Sequence, residues 1–259
     1  MGSYKRHTMT SSLISSRNTP AKATEQNAKA SPDFAVKLAE TQALLHRAAA
    51  KFAPVTQASS LGAEDVVITH LINSLQLNIS VFVLETGALH TETLALLERT
   101  QAHSRAPINV FRPVQASVLK FVREQGQNAM YKSIDLRKAC CGIRKMEPLT
   151  RALAGQRAWI TGLRQEQSNA RAEVPLLDTS EEATKNLTKF NPLTKWTWGD
   201  VWHYIATNQV DYNPLHDQFF PSIGCAPCTR AISLGEEFRA GRWWWEDEAA
   251  KECGLHVKP

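Results

Sequence analysis

Five cysteines divide into four and one. Cys140 and Cys141 are adjacent, Cys225-Ala226-Pro227-Cys228 forms a C-x-x-C, and Cys253 stands six residues from the C-terminus. Neighbouring cysteines rarely bridge each other, and an odd total leaves one thiol over, so a disulfide framework is not expected. Four thiolates drawn from two tight pairs suit a metal centre instead, either zinc or an iron-sulfur cluster, and spacing alone does not choose between them. Cys253 is then the remainder. Lys251 and His256 lie close to it in sequence and would favour the thiolate, the nucleophilic form of the side chain.

Cations surround the first pair, in Arg137-Lys138-Ala139-Cys140-Cys141-Gly142-Ile143-Arg144-Lys145. If that stretch is helical, Lys145 follows Cys141 by four residues and projects along the same face. An ammonium there would offset the negative charge of a thiolate centre and could reach an anionic substrate; the plainer alternative is a solvated basic face. Arg164 and Arg171 follow a glycine in Gly162-Leu163-Arg164, and Arg239 and Arg242 stand three residues apart before Trp243-Trp244-Trp245. Guanidinium forks match phosphate and sulfate oxygens, although surface ion pairs use them too. The tryptophan run, with Trp196, Trp198 and Trp202, is expected to serve packing rather than base stacking.

Such residues must be held by a scaffold, and the hydrophobic periodicity supplies one. Phe34 to Lys51, Glu64 to Leu75 and Thr91 to Arg99 carry apolar residues at helical spacing. Val55 to Ser59, Ile79 to Leu84, Ile108 to Val114 and Ala158 to Leu163 are short β-branched or apolar runs bounded by turn residues. Strands separated by helices imply an α/β fold with a mainly parallel sheet in a single domain, and ligands bind at the carboxyl ends of such strands. One such end is Ser59-Ser60-Leu61-Gly62-Ala63-Glu64-Asp65, where small residues let backbone N-H groups approach an anion at a helix N-terminus. The competing reading is an ordinary helix start with Ser60 as cap. The loop is not a G-x-x-x-x-G-K-[ST] element, which argues against a P-loop NTPase.

With 30 basic and 25 acidic side chains the formal charge is +5, but residues 1–33 hold five basic and two acidic groups, so the rest is nearly neutral. A nucleic-acid-tracking surface is therefore not expected, whereas a small anion pocket is. No run is long and apolar enough for a membrane span or a secretory signal. Residues 1–33, rich in Ser, Thr, Ala and Lys, are expected to be a disordered tail, a composition also compatible with a transit peptide. Reduced cysteines and the missing export signal point to the cytoplasm.

Taken together, Ser59 to Asp65, Thr86-Gly87 with Leu89-His90, Cys140 to Lys145, Gly162-Leu163-Arg164, Tyr212 to Asp217, Ile223 to Cys228 and Lys251 to His256 occur in the order seen in assimilatory adenylyl-sulfate reductases. The chain resembles the bacterial iron-sulfur type of that family over residues 34–259. The resemblance implies a fold similar to the PP-loop-related adenine-nucleotide hydrolases and one [4Fe-4S] cluster on Cys140, Cys141, Cys225 and Cys228. It implies that Cys253, on a mobile segment of about 246–259 and assisted by Lys145 and His256, attacks the sulfur of adenosine 5'-phosphosulfate and expels AMP. Thioredoxin (or glutaredoxin), expected as a separate protein because the chain ends soon after Cys253, would then release sulfite. Ser60, Gly62, Leu84 and Gly162 are expected at the nucleotide, and Arg171, Arg239 and Arg242 at the phosphosulfate. A homo-oligomer is compatible with all of this.

Two departures from the family pattern, Glu85 in place of a common aspartate and Ala88 in place of a common basic residue, bear on the nucleotide contacts. Rival readings are reduction of the 3'-phosphorylated substrate, a metal-bound nucleotide-binding module without redox activity, and an ATP-pyrophosphatase-type adenylating enzyme. The last is disfavoured by Ser-Leu-Gly where that class shows Ser-Gly-Gly.

Overall fold

A computed structural model of the protein describes residues 21–168, 171–181 and 186–247. Six strands form one sheet: β1 (Val55–Ser59), β2 (Ser80–Leu84), β3 (Ile108–Phe111), β4 (Ala158–Ile160), β5 (Leu177–Asp178) and β6 (Thr188–Phe190). Their order is β3-β2-β1-β4-β6-β5, parallel throughout except for the β5–β6 pair. β1 is central, with Gln57 in register with Val81 on one side and Ile160 on the other. The chain moves outward from β1 through β2 to β3, then returns to lay β4 against the other side of β1. That reversal opens a crevice beyond the carboxyl ends of β1 and β4.

Helices α1 (Ala23–Asn27), α2 (Phe34–Lys51), α3 (Ala63–Ser74), α4 (Thr91–His103), α5 (Gln115–Gln125), α6 (Ile134–Cys141), α7 (Glu147–Leu153) and α8 (Trp198–Asn208) accompany the sheet. The largest cluster of buried apolar residues joins Leu45, Val67, Ile68, Ile72, Val81, Ile160, Trp196, Trp202 and Ile205. Gln57, buried in the middle of β1, is satisfied by α3: its Nε2 donates to the Asp65 carbonyl at 2.8 Å and its Oε1 accepts from the Thr69 hydroxyl at 2.9 Å. A buried carboxamide with both ends bonded fixes the helix on the strand. No helix among the described residues is long and apolar enough to cross a membrane.

The expected disordered tail is corrected over residues 21–33. Ala23 is buried, and its N-H donates to Asp217 Oδ1 at 2.7 Å. The Lys29 N-H donates to the Gly199 carbonyl at 3.2 Å, and Ser31 gives both N-H and hydroxyl to the Asp200 carboxylate. Composition missed this segment because it is held by backbone groups and small side chains, not by the large apolar residues on which a reading of order from composition depends. Residues 1–20 of the expected tail lie outside the described residues. Of the tryptophans, Trp196, Trp202 and Trp243 are fully buried, as packing requires, while Trp244 is 40% exposed.

Candidate active site

The loops after β1 and β4 meet in the crevice, with residues 221–224 and 238–243 closing on them. Gly62, not Ser60, is the N-cap of α3, so the expectation of a Ser60 cap does not hold. Asp65, in the first turn, reaches back instead: its Oδ2 accepts the Ser60 N-H at 2.6 Å and the Ser60 hydroxyl at 2.7 Å. Across the crevice, a Cβ on Gly162 would lie 2.5 Å from Asp65 Oδ1 and 2.8 Å from Glu64 Cβ. Glycine is what lets the loop after β4 approach the loop after β1 this closely. Burial pushes the Asp65 carboxyl up to about 6, against the pull of the Ser60 bonds.

Two carboxylates beside a cavity for anions require compensation. Glu64 receives it from Arg164, buried and paired with it at 2.9 Å, and from the Gln167 amide at 2.9 Å. The Arg164 guanidinium also lies over the rings of Trp198 and Phe238, 5.3 and 5.7 Å from their centroids. The two arginines that the sequence reading grouped as anion forks therefore divide: Arg164 is committed to structure, whereas Arg171 lines the cavity.

That cavity, of about 200 Å³, brings together Ser60, Gly62, Leu84, Gly162, Arg171, Arg239, Arg242 and Lys145. Thr86, Trp159, Gln167 and Phe238 are also in its wall. Arg242 is held from behind: its Nη1 donates to the Ile223 carbonyl at 3.2 Å and to Ser222 Oγ at 3.4 Å, and its guanidinium packs on the Trp243 ring, 4.7 Å from the centroid. A Cβ on Gly224 would collide with that guanidinium. Arg242 Nε is buried with no protein partner among the described residues, leaving a donor for a ligand.

The four cysteines line a second cavity, of about 150 Å³, with Met130, Arg137, Arg144 and Lys145. Cys140 and Cys141 end α6, and a π-helical turn over Gly142–Met146 follows. Such turns are frequent at functional sites; here the widened turn returns Lys145 to the side of the cysteines. Cys225 is fixed by pairing with Leu89, by the Ala226 N-H on the Ala88 carbonyl at 2.7 Å, and by Thr86 Oγ1 at 3.3 Å from its Sγ. None of the four is disulfide-bonded among the described residues, and burial raises the Cys140 thiol and pushes the Cys228 thiol up to about 11.

No three His, Cys, Asp or Glu side chains among the described residues group as a single-ion site. The four thiols and three cations beside them line one cavity, a donor set that suits zinc or an iron-sulfur cluster.

Glu85 does not line the first cavity. Its carboxylate accepts the Gly87 N-H at 2.7 Å and pairs with Arg112 at 3.0 Å, bracing the turn. Sequence reasoning did not single out Asp65, Glu64, Gln167 or Thr86 as site residues. The Ser60–Asp65 spacing was available as a signal, but the partners of Glu64, about a hundred residues away, leave no local trace. Cys253 and His256 lie outside the described residues.

Residues 54–231 match the family model of the phosphoadenosine phosphosulfate reductase domain. The adenosine 5'-phosphosulfate reductase of Burkholderia cepacia is 49% identical over 226 residues, covering 87% of this chain and 90% of that protein. Among solved structures, the phosphoadenylyl-sulfate (PAPS) reductase of Candida auris in a phosphate complex aligns with a TM-score of 0.61 and 26% identity, over 72% of this chain and 88% of that one. The FMN adenylyltransferase of Candida glabrata aligns at 0.51 with 11% identity, over 89% and 81% of the two chains, a likeness of fold alone.

Proposed function

Because the chain belongs to the family of the phosphoadenosine phosphosulfate reductase domain, we propose that it reduces adenosine 5'-phosphosulfate to sulfite and AMP with electrons from a dithiol protein of the thioredoxin class. The observation that carries this reading is the adjacency of the two cavities. One is ringed by loop backbone, Lys145, Arg171, Arg239 and Arg242; the other holds four thiols; and Lys145 lines both.

The Cys253 thiolate attacks the sulfur of the phosphosulfate, forming an S–S bond as the bond from sulfur to the bridging oxygen breaks and AMP departs. A donor thiolate then attacks Cys253 Sγ and expels sulfite. The donor's second thiol resolves the mixed disulfide, so the dithiol supplies both electrons and leaves as a disulfide. An anionic nucleophile meeting an anionic sulfonate needs fixed positive charge, supplied here by Lys145, Arg239 and Arg242, with Arg171 at the phosphosulfate and His256 beside the nucleophile. Ser60, Gly62, Leu84 and Gly162 hold the nucleotide.

Cys140, Cys141, Cys225 and Cys228 would hold one [4Fe-4S] cluster, whose contribution is electrostatic and organisational. The gathering of the four thiols at one cavity supports a thiolate-held group, and the resemblance to the bacterial iron-sulfur reductases favours a cluster over zinc. Cysteines of this number without disulfides among the described residues fit a reducing compartment, the cytoplasm. A homo-oligomer is compatible with the site.

Reduced protein incubated with radiolabelled adenosine 5'-phosphosulfate, without thioredoxin, should gain one SO3 group on Cys253, located by mass spectrometry. Retained sulfite production by a Cys253→Ser variant would defeat the reading. The visible spectrum of anaerobically purified protein distinguishes iron-sulfur from zinc, and turnover on the 3'-phosphorylated nucleotide tests the rival substrate.

A further inference from the structure

Gln167 lies in the short turn Gln165–Gln167 after β4 and is almost fully buried against the nucleotide cavity. Its carboxamide makes every bond it can. Nε2 donates to Glu64 Oε1 at 2.9 Å and to the Gly162 carbonyl at 3.3 Å. Oε1 accepts from Arg171 Nη1 at 2.6 Å and from the Arg164 N-H at 3.2 Å. With two donors and two acceptor positions all occupied, the amide has one orientation and presents its oxygen to Arg171. The far side of the amide is fixed in turn, because Glu64 is pinned by the buried Arg164 guanidinium.

The residue type follows from the charges around it. Glu64 and Arg164 already neutralise each other, so a carboxylate at 167 would face Glu64 and an ammonium would face Arg171. A neutral amide alone serves both, as donor to the acid and acceptor from the base. The short bond from Arg171 Nη1 to Gln167 Oε1 restricts the long arginine side chain before an anion arrives, so less rotamer freedom is lost on binding.

We propose that Gln167 is a positioning residue for the sulfonucleotide site: locked by Glu64 and Gly162, it holds the Arg171 guanidinium in the cavity in its anion-binding geometry. This rests on the reading of Arg171 as a substrate contact. Gln167 itself does no chemistry, so its removal should weaken substrate binding and leave the rate of the bound complex alone.

The test is a double-mutant cycle on the full-length, cluster-loaded enzyme, with KM for adenosine 5'-phosphosulfate and kcat measured separately. Gln167→Ala should raise KM about tenfold with kcat within about twofold, and Gln167→Ala in an Arg171→Ala background should add nothing further. Full additivity of the two losses, or a Gln167→Ala KM equal to wild type while Arg171→Ala raises it, overturns the inference and leaves the site reading standing. An Arg171→Ala enzyme with unchanged KM overturns both. Should the alanine variant fold poorly, Gln167→Met fills a similar volume without polar atoms and must reproduce the rise in KM. If methionine restores wild-type KM, Gln167 merely fills space and the inference fails.

Discussion

Lys145 borders both cavities, and no other described side chain does. Its ammonium therefore faces the thiols and the position proposed for the sulfonate together, so Lys145→Ala should lower kcat/KM by about 10²- to 10³-fold with the cluster absorbance unchanged. Steady-state assay beside an iron count checks this. Two other buried groups make acid stability a residue-scale question. His216 Nδ1 is bonded to the Phe220 carbonyl at 2.8 Å, and burial lowers the ring to about 4 from its ordinary 6.5. The unfolded chain thus binds the extra proton first, and this residue costs stability as pH falls from 6.5 to 4, by about 3 kcal/mol in all. Asp65 works in the opposite direction. Raised from 3.8 to about 6 by burial, it is protonated first in the folded chain, and stability declines as pH rises from 3.8 to 6. Across the shared window the two slopes oppose each other. Asp65→Asn should therefore steepen the acid loss relative to wild type, and His216→Gln should reverse it. Urea midpoints at pH 4.5, 5.5 and 7 decide the signs.

The loops after β1 and β4 are built around a missing side chain. Gly162→Ala would drive a methyl group into the Asp65 carboxylate and Glu64, with about 1–3 kcal/mol of destabilisation and a raised KM from parted loops. Thermal unfolding and substrate saturation measure the two effects separately. β1 and α2 carry the same boundaries in sequence and structure, and β2, α3 and β4 differ by one to three residues, because continuous burial writes itself into apolar runs. β5 and β6 were not legible, being two and three residues long, too short for periodicity to register. α5 has no fully buried residue, yet its half-buried Val118, Phe121 and Val122 recur at helical spacing, a signal present in the sequence that went unread. α8 begins with a Thr197–Asp200 capping box, a signal present in the sequence but outweighed by the surrounding tryptophans. For the site, loop glycines and cysteine pairs were readable because close approach and ligation demand those residue types. The Glu64–Arg164–Gln167 network was not, since any acid, base and amide in the chain could have paired.

At the scale of the molecule, the N-terminal strap packs on the start of α8, whose first residue contacts the network behind the cavity. The strap touches the body at Asp217, Gly199 and Asp200. Burial raises the Asp200 carboxyl, but the Ser31 and Thr197 N-H groups, the Ser31 hydroxyl and Lys37 outweigh it and leave it at about 2. It therefore stays ionised and caps α8 under all ordinary conditions. The first residue of that helix, Trp198, lies over the Arg164 guanidinium that secures Glu64 and, through it, Gln167. Deleting residues through 33 removes, among other contacts, the four hydrogen bonds to Asp217, Gly199 and Asp200 and the burial of Ala23, about 2–5 kcal/mol at about 1 kcal/mol per bond. For a chain of this size that corresponds to a fall of about 5–15 °C in the unfolding midpoint. Gly199→Ala, whose Cβ would collide with the Lys29 carbonyl, should reproduce much of that fall in the intact chain and add little to the deletion. If the strap supports the site through α8, KM should rise with both changes. A lowered midpoint with unchanged KM would confine its role to stability, and an unchanged midpoint would show that the contacts from Ala23 to Ser31 contribute nothing to the fold.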